Sequence, residues 1–80
     1  MNDEQLLERI SASPDTMAGK PVIAGTRLSV SFILNLLAHG ATEDEILSEY
    51  EGLEREDIRA CLLFGAKSLS DASFMPLQTA

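Results

Sequence analysis

The segment from Gly19 to Val30, with the sequence GKPVIAGTRLSV, constrains the fold of this chain more than any other stretch. Proline fixes its own φ and moves the preceding residue towards an extended conformation, while glycine allows a positive φ. This combination is typical of a chain that changes direction sharply. Four residues are therefore predicted to shape a structural turn rather than to bind a phosphate: Gly19, Pro21, Gly25 and Thr26.

Two short extended pieces are expected inside this segment, at residues 22–23 and 27–30, joined by a tight turn at 24–26. A two-stranded hairpin is only marginally stable in water on its own. Its apolar side chains must therefore be covered by the helices that follow or by a second copy of the chain.

The N-terminal segment, residues 1–18, leaves two alternatives open. Asn2 can cap a short helix over residues 3–9, with Leu6 and Leu7 on one side. Residues 9–12 can instead extend as an edge strand. The pattern does not choose between a short helix and a strand.

A first helix after the turn is predicted over residues 31–38, which are apolar almost all round. It should be central and buried. Either Ser29 or Ser31 supplies its N-cap, and Gly40 stands where the end of a helix adopts a left-handed conformation.

Two further helices are predicted. Thr42 and Glu45 have the spacing of a capping box at the start of the second. Leu53 and Ile58 have the spacing of a hydrophobic staple around a third helix that begins near Glu54, itself a poor cap.

The third helix carries two apolar stripes, and only one of them can face the first two helices. In so small a domain, an unused stripe is typical of a contact between identical subunits. We therefore expect a homodimer, with Leu63 and Phe64 at the contact.

Composition limits the possible functions. Eighty residues make one domain that buries only about 60–65% of its unfolded surface, which leaves little room for a catalytic cavity. Thirteen acidic residues against six Lys and Arg give a net charge of −7. This charge opposes attraction to DNA and favours a basic protein partner.

No apolar run approaches the roughly 20 residues of a membrane span, and residues 1–10 are acidic rather than signal-like. The single cysteine, Cys61, cannot form an internal disulfide. These features lead us to expect a cytoplasmic protein with no membrane association.

Candidate catalytic and ligand-binding residues are few. Pro21 follows Lys20 where a phosphate loop needs Ser or Thr. His39 is expected to bond the C-terminal carbonyls of its helix, and Cys61 to be a buried structural thiol. The acidic clusters at 43–45 and 54–57 are expected in first helical turns, where negative charge is favourable, and they lack the spacing of a calcium loop. No enzyme activity, metal or cofactor is expected.

The turn segment at 19–30, the apolar helix, Gly40, the run TEDEI at 42–46 and residues 53–60 together resemble the domain of unknown function 433 family. The resemblance covers residues 8–68. It implies a mainly α fold, in which a homeodomain-like three-helix domain with a helix-turn-helix, at residues 19–70, is preceded by short N-terminal β-strands. The family usually has Thr or Ser where this chain has Glu54.

The resemblance also implies an antitoxin of a prokaryotic toxin-antitoxin pair, which binds and neutralises a nuclease-like toxin. The alternative is a DNA-binding transcriptional regulator that places its third helix in the major groove. The DNA contacts would then be Arg27, Arg55 and Arg59. Neighbouring acidic residues should make binding by the isolated protein weak.

Residues 71–80 are expected to form a C-terminal tail. Phe74, Met75 and Leu77 are candidate toxin-binding anchors, since aromatic and methionine side chains supply much contact area for few ordered bonds. The alternatives are a frayed end or a segment folded back over the core.

Overall fold

A computed structural model describes residues 1–12 and 19–70 of the chain. Within these residues there are four helices and one two-stranded antiparallel sheet. The elements are α1 (Asp3–Leu7), β1 (Ile10–Ser11), β2 (Val22–Ile23), α2 (Val30–Ala38), α3 (Glu43–Glu49) and α4 (Arg55–Ser70). The prediction of a mainly helical chain with short strands near its N-terminus is therefore confirmed.

The N-terminal segment contains both of the alternatives that its sequence left open. The Asn2 side chain accepts the Gln5 N–H at 2.8 Å, and the Gln5 side chain accepts the Asn2 N–H at 3.0 Å, which starts α1 with a capping box. The helix ends at Leu7, and the chain then extends as β1. Both elements fit into this segment one after the other, because α1 has only five residues and β1 only two.

Strand β2 pairs with β1, in a register that places Ile10 opposite Ile23 and Ser11 opposite Val22. The predicted partner, residues 27–30, makes only an isolated bridge between Val22 and Ser29. The expectation of a second extended piece up to Val30 was therefore wrong at its end. There the Ser29 hydroxyl accepts the Phe32 N–H at 3.0 Å and begins α2 one residue earlier than predicted.

The turn between β2 and α2 is closed by the side chain of Thr26. Its hydroxyl donates to the Ile23 carbonyl at 2.7 Å and accepts the Leu28 N–H at 3.0 Å. Gly25 has a φ of +80°, in the left-handed region that favours glycine. The turn thus directs the chain from the small sheet into α2.

Helix α2 ends in a Schellman motif. The Gly40 N–H donates to the Leu37 carbonyl at 3.1 Å, and the Ala41 N–H donates to the Leu36 carbonyl at 3.0 Å. Gly40 has a φ of +98°, as its position requires. The expected contact of His39 with the end of the helix is confirmed, since its Nδ1 lies 2.8 Å from the Asn35 carbonyl oxygen.

The capping box of α3 is confirmed in both directions. The Thr42 N–H donates to Glu45 Oε1 at 2.8 Å, and the Glu45 N–H donates to the Thr42 hydroxyl at 3.1 Å. At α4 the Asp57 carboxylate accepts the Glu54 N–H at 2.9 Å. Asp57 therefore supplies the half of a capping box that reaches back from the third helical position to the backbone N–H of Glu54.

The core lies where α4 crosses the sheet and the other helices. It is formed by six buried side chains, Ile23, Val30, Ile33, Ile46, Ile58 and Cys61. In α4, burial is concentrated in the first half, while Leu62 and Leu69 remain 46% and 68% exposed. The C-terminal half of α4 therefore projects apolar side chains beyond the core.

Candidate interaction surface

Arg55, a predicted DNA contact, is held by the first turn of α3. Its guanidinium donates to Glu43 at 2.7 Å and to Asp44 at 2.6 Å. The carboxylates of Asp44 and Glu43 raise the pKa of Arg55 above its ordinary value by accepting these bonds. A phosphate would have to displace two carboxylates to reach this guanidinium.

Arg9 makes a similar link between the N-terminal segment and α4. It donates to Glu54 at 2.8 Å and to Asp57 at 2.9 Å, and these bonds raise the pKa of Arg9. Arg9 is the only basic residue among residues 1–18, whose sequence also contains four acids. The sequence could have indicated this link, because Arg9 is the only basic side chain in its segment.

Net charge is concentrated in one part of the chain. Residues 42–57 contain eight acidic residues against Arg55. The remaining residues contain five acidic and five basic side chains, so the net charge of −7 comes wholly from this stretch. Because it spans α3 and the first turn of α4, the acidic surface has a defined place in the fold.

The other two predicted DNA contacts, Arg27 and Arg59, are both exposed. Among the described residues, no carboxylate forms a salt bridge with either of them. Of the three predicted DNA contacts, Arg55 is therefore the one that pairs with carboxylates within the described residues.

An apolar cleft of about 300 Å³ opens between the end of α2 and α3. Beside it, the ring of Phe32 meets the ring of Tyr50 edge-on, with centroids 5.8 Å apart. Phe32 is 38% exposed. The cleft is lined by Leu36, Ala41, Glu45, Ile46, Glu49 and Tyr50.

A second groove, of about 470 Å³, runs between the start of α2 and the C-terminal half of α4. The two helices approach closely there, since a Cβ added to Gly65 would lie 3.1 Å from Leu34 Cδ1. The groove is lined by Lys20, Pro21, Val30, Ser31, Leu34, Phe64, Gly65, Ser68 and Leu69. Sequence reasoning missed it, because the turn segment and α4 meet only in the folded chain.

The predicted dimer residues Leu63 and Phe64 are both half-buried. Phe64 packs against the core and also lines the second groove. The most exposed apolar side chains of α4 are instead Leu62 and Leu69. The predicted toxin-binding residues Phe74, Met75 and Leu77 lie outside the described residues.

The described residues contain no group of three or more His, Cys, Asp or Glu side chains that could hold a metal ion. Burial raises the pKa of the Cys61 thiol to about 11, with a smaller effect from the nearby Asp57 charge. Across residues 1–12 and 19–70, every helix is too short or too polar to span a bilayer.

Comparison with known proteins assigns the chain to a family. Residues 10–64 match the family model described as protein of unknown function DUF433. The chain belongs to the DUF433 family. Its fold is similar to the crystal structure of a DUF433 member from Anabaena variabilis ATCC 29413, with a TM-score of 0.74 and 27% identity. That similarity covers 84% of this chain and 66% of the other.

A sequence relative is the uncharacterized protein y4eO of Sinorhizobium fredii (strain NBRC 101917 / NGR234), which is 32% identical over 57 residues. The aligned stretch is 71% of this chain but 26% of the relative. The chain thus spans about a quarter of that protein's length.

The DUF433 match begins at β1 and ends within α4. It includes the turn segment, the α2–α3 cleft and the acidic stretch 42–57. It leaves out α1 and residues 65–80. The surfaces described above therefore lie mostly within the part of the chain that is typical of the DUF433 family.

Proposed function

We propose that this chain is an antitoxin of a prokaryotic toxin-antitoxin pair, which acts in the cytoplasm by binding and neutralising a nuclease-like toxin. The observation that supports it best is the acidic stretch 42–57, which carries the whole net charge along α3, the link after it and the first turn of α4. A nuclease must attract a polyanion and therefore needs a positive surface. An acidic helical surface can occupy such a site in place of nucleic acid.

In this proposal, α2, α3 and α4 correspond to the three helices of a homeodomain-like domain, and the protein acts as a homodimer. The tail supplies additional apolar anchors, Phe74, Met75 and Leu77. Aromatic and methionine side chains supply much contact area for few ordered bonds, which suits these residues to bind the toxin.

Growth of bacteria tests the main claim. Expression of the protein encoded by the adjacent reading frame should arrest growth, and co-expression with this chain should restore it. The toxin should also co-purify with the chain. Growth arrest that co-expression leaves unchanged would contradict the proposal.

Truncation after Ala72 tests the role of the tail. If the anchors bind the toxin, the shortened chain should melt like the full chain and fail to hold its partner. Unfolding of the shortened chain would assign the tail to the core instead. Retention of both stability and binding would show that the tail is only a frayed end.

A DNA-binding regulator is the second candidate, and the exposed arginines Arg27 and Arg59 favour it. Helices α3 and α4 would then form the helix-turn-helix. Against this, Arg55 is paired with Glu43 and Asp44, and the first turn of α4 carries further carboxylates. A basic toxin bound to the chain could supply the missing positive charge.

A further inference from the structure

The α2–α3 cleft combines an apolar floor with an acidic rim. Glu45 and Glu49 lie four residues apart on α3, and both line the cleft. Like charges at this spacing repel each other on a helix surface. A cation placed between the two carboxylates would relieve that repulsion, and no Lys or Arg among the described residues lines the cleft.

Exposed aromatic surface continues beside the cleft. Phe32 precedes Leu36 by four residues, so both lie on one face of α2. Phe32 is 38% exposed and meets Tyr50 edge-on. Aromatic side chains, Phe and Tyr among them, are enriched at protein interfaces relative to the rest of the protein surface.

We infer that this cleft is a docking site for a basic amphipathic segment of the partner protein. An apolar side chain of that segment would enter between Leu36 and Ile46, and a Lys or Arg side chain would lie between Glu45 and Glu49. The inference rests on the proposed function, because it assigns the segment to the toxin.

Charge distinguishes this site from the groove between α2 and α4. That groove is larger, but its charged lining residue is Lys20, and no acidic side chain of the described residues lines it. A basic segment would be repelled there. The acidic rim therefore selects the α2–α3 cleft for a basic partner.

The first experiment uses the full chain, labelled with ¹⁵N, and three short synthetic helical peptides. One places leucine at positions i, i+3, i+4 and i+7 and lysine on the opposite face, which gives an amphipathic basic helix. The second keeps the lysines but replaces leucine with alanine, and the third keeps the leucines but replaces lysine with glutamate. Only the first should bind, with amide shifts concentrated at the residues lining the cleft.

Two matched double variants test the rim. Glu45→Gln with Glu49→Gln removes both charges, and glutamine at position 45 can still complete the capping box. The binding constant of the leucine-lysine peptide should weaken about fivefold, as expected for two exposed charge pairs. The control, Glu4→Gln with Glu8→Gln, changes the net charge equally at the same spacing in the N-terminal segment. It should bind like the wild type.

Three results would overturn the inference. These are equal weakening in both double variants, binding of the alanine-lysine peptide as tight as that of the leucine-lysine peptide, or amide shifts centred on the α2–α4 groove.

Failure of the proposed function would give different results. If the Glu45 and Glu49 variant binds the toxin as tightly as the wild type does, the cleft does not bind the toxin although the antitoxin role stands. If the wild type fails to restore growth while the cleft still binds the peptide selectively, the antitoxin role fails.

Discussion

The Nη1 atom of Arg9 lies 2.9 Å from Oδ1 of Asp57, a contact that fastens the N-terminal segment to the first turn of α4. The other carboxylate oxygen of Asp57 accepts the Glu54 N–H at 2.9 Å. Asp57 is 7% exposed, so water can replace few of these bonds. One side chain therefore both caps α4 and holds the N-terminal segment in place.

Replacement of Asp57 by alanine should lower the free energy of unfolding by about 1–2 kcal/mol, because α4 loses its N-terminal bond and Arg9 loses a partner. Urea denaturation followed by circular dichroism measures the change. The matched control is Glu56→Ala, which removes the same charge from the same helical turn and should cost much less. Equal losses in the two variants would show that only charge near the helix terminus matters.

Gly25→Ala should destabilise the chain by about 1 kcal/mol or more, because alanine resists the φ of +80° found there. Apart from Gly25 itself and its two chain neighbours, no described residue has an atom within 4 Å of the added Cβ, so the cost would come from the backbone alone. Gly25→Asn should be better tolerated, since asparagine visits this conformation more readily. An alanine variant with an unchanged melting temperature would remove the argument for a strained turn.

The chain is expected to sediment as a homodimer at tens of micromolar. Leu63→Glu should shift it towards the monomer, because a charge at the predicted contact would have to be buried. Phe64→Glu should also lower stability, since Phe64 packs against the core. Sedimentation velocity with thermal melts separates these effects. A wild-type monomer at this concentration would contradict the dimer.

Isolated protein should bind its own promoter DNA weakly, with a dissociation constant above about 1 μM at physiological salt. Arg59→Ala should weaken the residual binding more than Arg55→Ala, because Arg55 is already paired with carboxylates. Fluorescence anisotropy of labelled DNA measures both. Submicromolar affinity of the protein alone would favour the regulator over the antitoxin.

Cys61 should be unreactive in the folded chain. Burial raises the pKa of its thiol from 9.0 to about 11, which lowers the thiolate population near pH 8 roughly a hundredfold. Alkylation by iodoacetamide should therefore be slow until urea unfolds the chain. Native labelling as fast as that of the unfolded chain would contradict a buried thiol.

The same shift of the Cys61 pKa predicts how stability depends on alkaline pH. The unfolded chain ionises first, so the contribution of the protonated thiol is complete below about pH 9 and is lost as the pH rises towards 11. Comparison of urea midpoints for wild type and Cys61→Ala across this range isolates the effect. A parallel decline in both proteins would assign it to other groups.

Features that depend on neighbouring residues could be predicted from the sequence. The Thr42–Glu45 capping box and the end of α2 at Gly40 were predictable because their hydrogen bonds join residues within a few positions of each other. The N-terminal segment was harder. Its helix and its strand are each so short that the local pattern supports both, and pairing with β2 decides where one ends.

The sequence by itself determined the helical class of the chain, the caps, the turn and the overall acidity, since all of these follow from local composition and spacing. Only the tertiary structure decided which arginines of the described residues pair with carboxylates. Arg9 reaches Asp57 across 48 positions and Arg55 reaches Glu43 across 12, so their pairing depends on how the helices pack. The cleft and the groove have the same origin, because a surface shared by two helices exists only once α2 has met α3 and α4.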